Sequence, residues 1–490
     1  MNHLERRVLP LLIALLPAAR IAAQGAEIDE LRADTNAQIV KLLTAFGKRA
    51  GTYKLPSHAR VAWRQIVAHY DRDNGRARKE LGFEQQDGEW RQTTPDTALP
   101  KDAADARKRA TIEKAWRTTC DRVAKLHREL AKKLQDAGHD SLAQEQYRRV
   151  LAFEPQDRES HLAIGNESFN GYFGEAEDIA FAKRMQDLMT RAGELAEKEY
   201  EVTPLSADDM PDELKASRLA FFGARSKHFT HWAIDSLDDA IATLQWAERA
   251  YELLGELLGS KSRFRRPDVL RWIAIVRTPE QRKAVFEAAP STRGQYDLTQ
   301  AMMFSGNTFE TRGGRAGLYS HEQTTDADHA VAHVTKVHFL GGRNAGLSEG
   351  MVHAMTFLLC GSTLTHYADL PKTVSGKFEL LKPDPEAWRE RLDEEIRTGQ
   401  DWPLVQIPRE RLDNFRESVR VKSWSFMLFV LARFPDQWYR LIDRQVSVDL
   451  MPEDVEETFQ DVLDMSTHEV DELWRAWAQP GSKLGAASGW

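Results

Sequence analysis

Two nine-residue segments, Gly82 to Trp90 and Gly165 to Phe173, both read Gly-x-Glu-x-x-(Asp/Asn)-Gly-x-aromatic. Such an echo constrains a fold strongly, because it implies one supersecondary unit used twice. Asp87-Gly88 and Asn170-Gly171 are the dipeptides that close a two-residue hairpin, since both central positions need positive φ. A related pentapeptide precedes each copy: Trp63-Arg64-Gln65-Ile66-Val67 and Tyr147-Arg148-Arg149-Val150-Leu151. The expectation is two copies of a helix followed by a small hairpin.

Helical periodicity fills the space around these copies. Ile28, Leu31, Ile39, Leu42, Leu43 and Phe46 keep helical spacing across 27–80, and a long helix is expected from Ala106 to Gln135 after a Thr-, Pro- and Asp-rich loop at 93–105. Ala131, Ala143, Tyr147 and Pro155 resemble one tetratricopeptide unit, in which small residues let two helices approach and proline ends the second. Residues 24–175 therefore read as a helical repeat-like region. Residues 176–226, charged and helical with a break at Thr203 to Pro211, read as a connector.

The segment 1–23 has the layout of a signal peptide. Arg6 and Arg7 precede an apolar stretch from Val8 to Ala19, and the small residues Ala22 and Ala23 offer a cleavage point. About a dozen apolar residues are too few to span a bilayer, so export to the periplasm or medium is expected, with no transmembrane segment after removal. Losing three arginines and one glutamate with that segment moves the formal charge from -8 to -10. An acidic chain without a basic run argues against nucleic acid as the main partner, and the helical repeat-like region is expected to present a surface to a protein or peptide partner. Two cysteines, Cys120 and Cys360, exclude a cysteine zinc cluster and read as buried thiols.

The pattern changes near residue 227. His228 to Ile234 alternates like a strand, and Leu237 to Leu258 is an amphipathic helix with Leu244, Ala247, Leu254 and Leu258 on one face. Arg271 to Arg277 reads as a buried strand. Thr278-Pro279-Glu280-Gln281 starts a helix with a capping box. Ala301 to Phe304 and Gly317 to Ser320 are strand-like around Gly313-Gly314. From residue 328 onward the pattern is helical, with a long apolar stretch from Val419 to Phe434, further helices opened at Pro435, Pro452 and Ser466, and a loose tail over 479–490. The fold class is mainly α, with an α+β C-terminal domain over 227–478.

One constellation in that domain points to chemistry. His329 and His333 lie four apart, one turn apart on a single helical face, which is the spacing two zinc ligands need. Sixteen residues later Gly346-Leu347-Ser348-Glu349-Gly350 opens an apolar helix, placing the Glu349 carboxylate at the mouth of a buried segment. This arrangement resembles the gluzincins, zinc peptidases of the peptidase-MA-like branch, which carry His-Glu-x-x-His on one helix and Ser/Asn-Glu-Gly on the next. The resemblance spans about residues 227–478, including the late helices around Val421-Lys422-Ser423-Trp424-Ser425. It implies zinc held by His329, His333 and Glu349.

The sequence departs from that family at one position. Where the family has a glutamate acting as general base, this chain has Ala330, which can neither take a proton nor orient water. A positioned general base contributes roughly 10²–10⁴-fold in rate. The expectation is an exported gluzincin-like protein, catalytically impaired or inactive, serving as a binding or structural module, with bound zinc retained as an option. Two other readings stand beside it: an active peptidase or amidase whose base is displaced, with Glu322, Asp326 or Asp328 as candidates, and a metal-free scaffold in which Glu349 pairs with His353 instead. No phosphate-binding loop or Gly-x-Ser-x-Gly elbow is present.

Overall fold

A computed structural model describes residues 5–94, 100–103, 105–259, 270–288, 306–311, 314–320, 326–339, 345–363, 384–410, 417–444 and 450–490. The chain is mainly helical with one mixed sheet and two small hairpins. It divides into two compact units, and the boundary falls within the second hairpin.

The first unit begins with α1 (Glu5–Thr52), α2 (Pro56–Gln65), a π-helical turn (Ile66–Tyr70) and α3 (Gly75–Glu80). The hairpin of β1 (Phe83–Gln86) and β2 (Glu89–Gln92) follows. Then come α4 (Ala106–Asp136), α5 (Asp140–Phe153), α6 (Arg158–Ala163), β3 (Glu167–Phe169) and β4 (Tyr172–Gly174). The two hairpins have matching backbones. Asp87 and Gly88 have φ of 52° and 83°, and Asn170 and Gly171 have 47° and 79°, the positive pair that a type I′ turn demands. The preceding short helices match as well. Asn74 caps α3 by accepting from Ala77 N at 3.0 Å, and Asp157 caps α6 by accepting from Ser160 N at 2.8 Å. Ala131, Ala143 and Tyr147 are buried in one cluster where α4 and α5 pack.

His127 of α4 stitches this unit internally. Its Nε2 lies 2.8 Å from Tyr70 Oη and its Nδ1 2.8 Å from Gln146 Oε1. Burial, only partly offset by the Gln146 bond, depresses its pKa to about 4, so the imidazole is neutral at ordinary pH.

The second unit starts with α7 (Ala176–Ala196, from Glu177 onward), β5 (Thr203–Leu205), α8 (Asp212–Ser217), β6 (Phe222–Arg225) and β7 (Thr230–Ala233). Residues 176–226, expected as a connector, instead supply core. Phe181, Met185, Ala192 and Leu195 of α7 join the main hydrophobic cluster, and β5 and β6 extend the sheet. Next are α9 (Leu237–Leu258), β8 (Leu270–Val276), α10 (Pro279–Ala288), β9 (Gly306–Thr311) and β10 (Gly314–Ser320). The sheet order is β5-β6-β7-β8-β10-β9. β8 is parallel to both β7 and β10, and the outer pairs are antiparallel. Thr278 and Gln281 cap α10 reciprocally. Ala301 to Phe304 lies outside the described residues; the strand paired with β10 is β9.

The remaining helices are α11 (Asp326–His333) running into a π-helical stretch (Val334–Phe339), α12 (Ala345–Cys360), α13 (Pro385–Thr398), α14 (Glu417–Arg433), α15 (Trp438–Arg444), α16 (Pro452–Leu463), α17 (Thr467–Ala478) and α18 (Lys483–Ser488). From Val419 to Arg433 every residue of α14 is buried. Its interior charge is matched: Lys422 Nζ lies 2.8 Å from Asp401 and 2.6 Å from Asp471, and Arg475 lies 2.6 Å from Asp401. The segment 479–490, expected as a loose tail, packs inward. Trp490 stands 4.4 Å from the Trp477 ring and 5.2 Å from Trp424, and Trp477 Nε1 donates to Ser488 Oγ at 2.9 Å. Tryptophan is a large apolar body with one donor, and both needs are met there. Among the described residues no helix is long and apolar enough to cross a membrane.

Candidate functional site

The candidate residues lie on two helices that pack together. α11 follows the β10 strand and rests on α9 and α12; α12 in turn packs on α14. Two glycines let α12 approach closely. A Cβ at Gly350 would stand 2.5 Å from the Ser423 carbonyl oxygen, and one at Gly346 would stand 2.6 Å from that of Ile407. Ser423 Oγ also donates to Gly346 O at 2.9 Å. The glycine after Glu349 thus has a packing reason, independent of any motif: it sets α12 against the α14 backbone.

His329, Ala330 and His333 are all fully buried, and Glu349 is 1% exposed. Ala330 belongs to the main hydrophobic cluster. The structure gives Glu349 a cation. Lys336, in the π-helical stretch after α11, donates from Nζ to Glu349 Oε1 in a short contact, with its own side chain 26% exposed. His329, His333 and Lys336 fall at i, i+4 and i+7, the recurrence that lines one helical face. The lysine is therefore visible in the sequence at the spacing of the histidines, but its partner on the next helix is not.

The acidic residues weighed as a substitute base are occupied elsewhere. Asp326, at the first turn of α11, accepts from Arg277 Nη1 and Nη2 at 2.5 and 2.8 Å. That bond is the largest influence on Arg277; with a second bond, to Asp235, it holds the guanidinium's pKa above its ordinary value despite burial. Asp328 is buried and hydrogen-bonds the Cys360 thiol at the far end of α12. Burial, and then the Asp328 charge, push that thiol up, so it stays protonated. Glu322 lies outside the described residues.

His353, one turn beyond Glu349, has its ring edge-on to Trp388 at 4.9 Å. His231 on β7 is a further buried imidazole. Its Nδ1 lies 2.9 Å from the Ile273 carbonyl oxygen, and burial depresses its pKa to about 4 against the opposing Asp326 charge.

These residues do not fit a bound zinc ion well. Among the described residues no group of three or more His, Cys, Asp or Glu is placed to hold a metal. Glu349 already has an ammonium on it, and a divalent cation beside that ammonium would meet like-charge repulsion at short range. The geometry around Glu349 is electrostatic. It holds an ion pair and buried imidazoles between two packed helices, with Ala330 buried in the main hydrophobic cluster.

Comparison with known proteins returns no matching family model, no matching curated protein and no matching solved structure.

Proposed function

We propose that this chain is an exported, gluzincin-like protein that has lost peptidase chemistry and serves as a binding module, its second unit acting as a metal-free scaffold. The observation that carries this reading is the Lys336–Glu349 pair. A lysine ammonium supplies the positive charge that the family resemblance assigns to zinc, and Ala330 supplies no base. Other features agree with the scaffold part. The strand, helix, strand, helix and hairpin succession from β7 to β10 leads into α11, as the resemblance implies. The packing of α4 on α5 through Ala131, Ala143 and Tyr147 agrees with a tetratricopeptide-like pair in the first unit.

A zinc-holding variant of this reading has one observation in its favour: His329 and His333 are both fully buried on adjacent turns beside α12. Elemental analysis of the purified full chain separates the two. Zinc well below one per chain, with no chelator-sensitive peptide cleavage, is the expected result. Stoichiometric zinc that disappears in His329→Ala, or cleavage abolished by a chelator, overturns the metal-free reading. Ala330→Glu is expected to yield no peptidase activity, because a base without a metal has no activated water to work on.

A further inference from the structure

The first unit has a groove of about 380 Å³ between α1 and α4. Leu42, Phe46 and Ala115 give it apolar lining, and Arg49, Lys114 and Arg122 supply three exposed cations. Thr111, Thr118 and Thr119 also line it, but each hydroxyl donates to the carbonyl four residues back, at 2.9, 3.2 and 2.9 Å. The strong donors of the groove are therefore the three cations.

The charge here runs against that of the chain. The whole sequence has a formal charge of -8, yet α4 contains ten lysines and arginines against four acidic residues. Toward its C-terminal end those cations are matched within the unit: Arg128 lies 2.8 Å from Glu154 and 2.6 Å from Asp157, and Lys132 lies 2.9 Å from Glu159. Along the groove they are not. Among the described residues neither Arg49, Lys114 nor Arg122 has a carboxylate partner.

We propose that this groove docks an acidic, amphipathic peptide segment of a partner protein. Unmatched cations above an apolar floor complement a ligand that brings carboxylates and apolar side chains together, as such a segment does. A long polyanion would engage the three cations but would extend over a chain of net negative charge. A bilayer surface is too flat to fill a concave groove. The lining of α4 from Thr111 to Arg122 is about 16 Å of helix, which matches a ligand of about eleven helical residues. This proposal deepens the binding-module reading but is independent of the metal state of the second unit, so either can fail without the other.

The test uses the full chain and a fluorescein-labelled twelve-residue peptide of leucine and glutamate, with leucine at helical spacing, read by fluorescence anisotropy. Saturable binding is expected. It should weaken at least tenfold in Lys114→Glu/Arg122→Glu, and several-fold on raising salt from about 50 to 300 mM. A peptide with lysine for glutamate should not bind. Both substituted side chains are exposed, and circular dichroism confirms that the variant folds; Arg49→Glu gives an independent second variant. The proposal is overturned by absence of saturable binding, by undiminished binding in the folded charge-reversed variants, or by tighter binding of oligo-dT or phosphatidylglycerol vesicles than of the peptide.

Discussion

Replacing Lys336 with methionine isolates the contact on which the functional reading depends. Methionine keeps most of the apolar stem and deletes the ammonium, leaving a carboxylate that is 1% exposed to lose its cation. Removing one partner of a fully buried ion pair costs about 3–5 kcal/mol. Lys336 is 26% exposed, and solvent screens part of the interaction, so the expected loss is about 2–3 kcal/mol at pH 7.5. The pH dependence has a definite sign. In the variant the buried carboxylate has a raised pKa, so the folded state takes up a proton before the unfolded state does. The deficit should shrink as pH falls from 7.5 toward 5, while the wild-type pair shows no such relief. Urea unfolding of both proteins across that range measures the difference directly, and Lys336→Met/Glu349→Gln should recover much of the loss at pH 7.5. A deficit no larger than that of an ordinary surface substitution, or one independent of pH, would refute the claim that Lys336 supplies the cation on buried Glu349.

Three further outcomes follow from the packing and charge of the fold. Gly350→Ala places a Cβ 2.5 Å from the Ser423 carbonyl oxygen and should cost about 1–3 kcal/mol, despite the better helix propensity of alanine, as read by thermal unfolding. Lys422→Met leaves Asp401 and Asp471 without the buried ammonium between them and should cost about 3–5 kcal/mol in urea unfolding. His127 and His231 have folded pKa values of about 4 against 6.5 unfolded, so their contribution is intact above pH 6.5 and is lost as pH falls toward 4. By pH 5 each should have cost about 2 kcal/mol, and substituting either with glutamine should flatten the acid limb of a stability–pH curve.

What was legible in the sequence was what local spacing determines. The Leu237–Leu258 helix, the β8 strand, the two Asp/Asn-Gly turns and the capping boxes at Thr278 and Ser466 follow from neighbours within a few residues. The strands β5 and β6 were not legible. They are three and four residues long, with Pro204 and Gly223 breaking any alternation, and pairing partners alone make them strands. The inward packing of 479–490 depends on Trp477 and Trp424, which no spacing within the segment reveals. At the candidate site, His329, His333 and Glu349 are buried and their helices touch, which spacing within either helix does not reveal. The cation on Glu349 was out of reach, because a side-chain pair between two helices is set by how those helices dock.

The two matching hairpins also bear on how the chain assembles. Each closes through a two-residue turn directly after a short helix capped by its own flanking residue, so these contacts join residues only a few positions apart. Closing such short loops costs little chain entropy. The chain thus has two places, well separated in sequence, where ordered structure can begin, and neither needs the other to start.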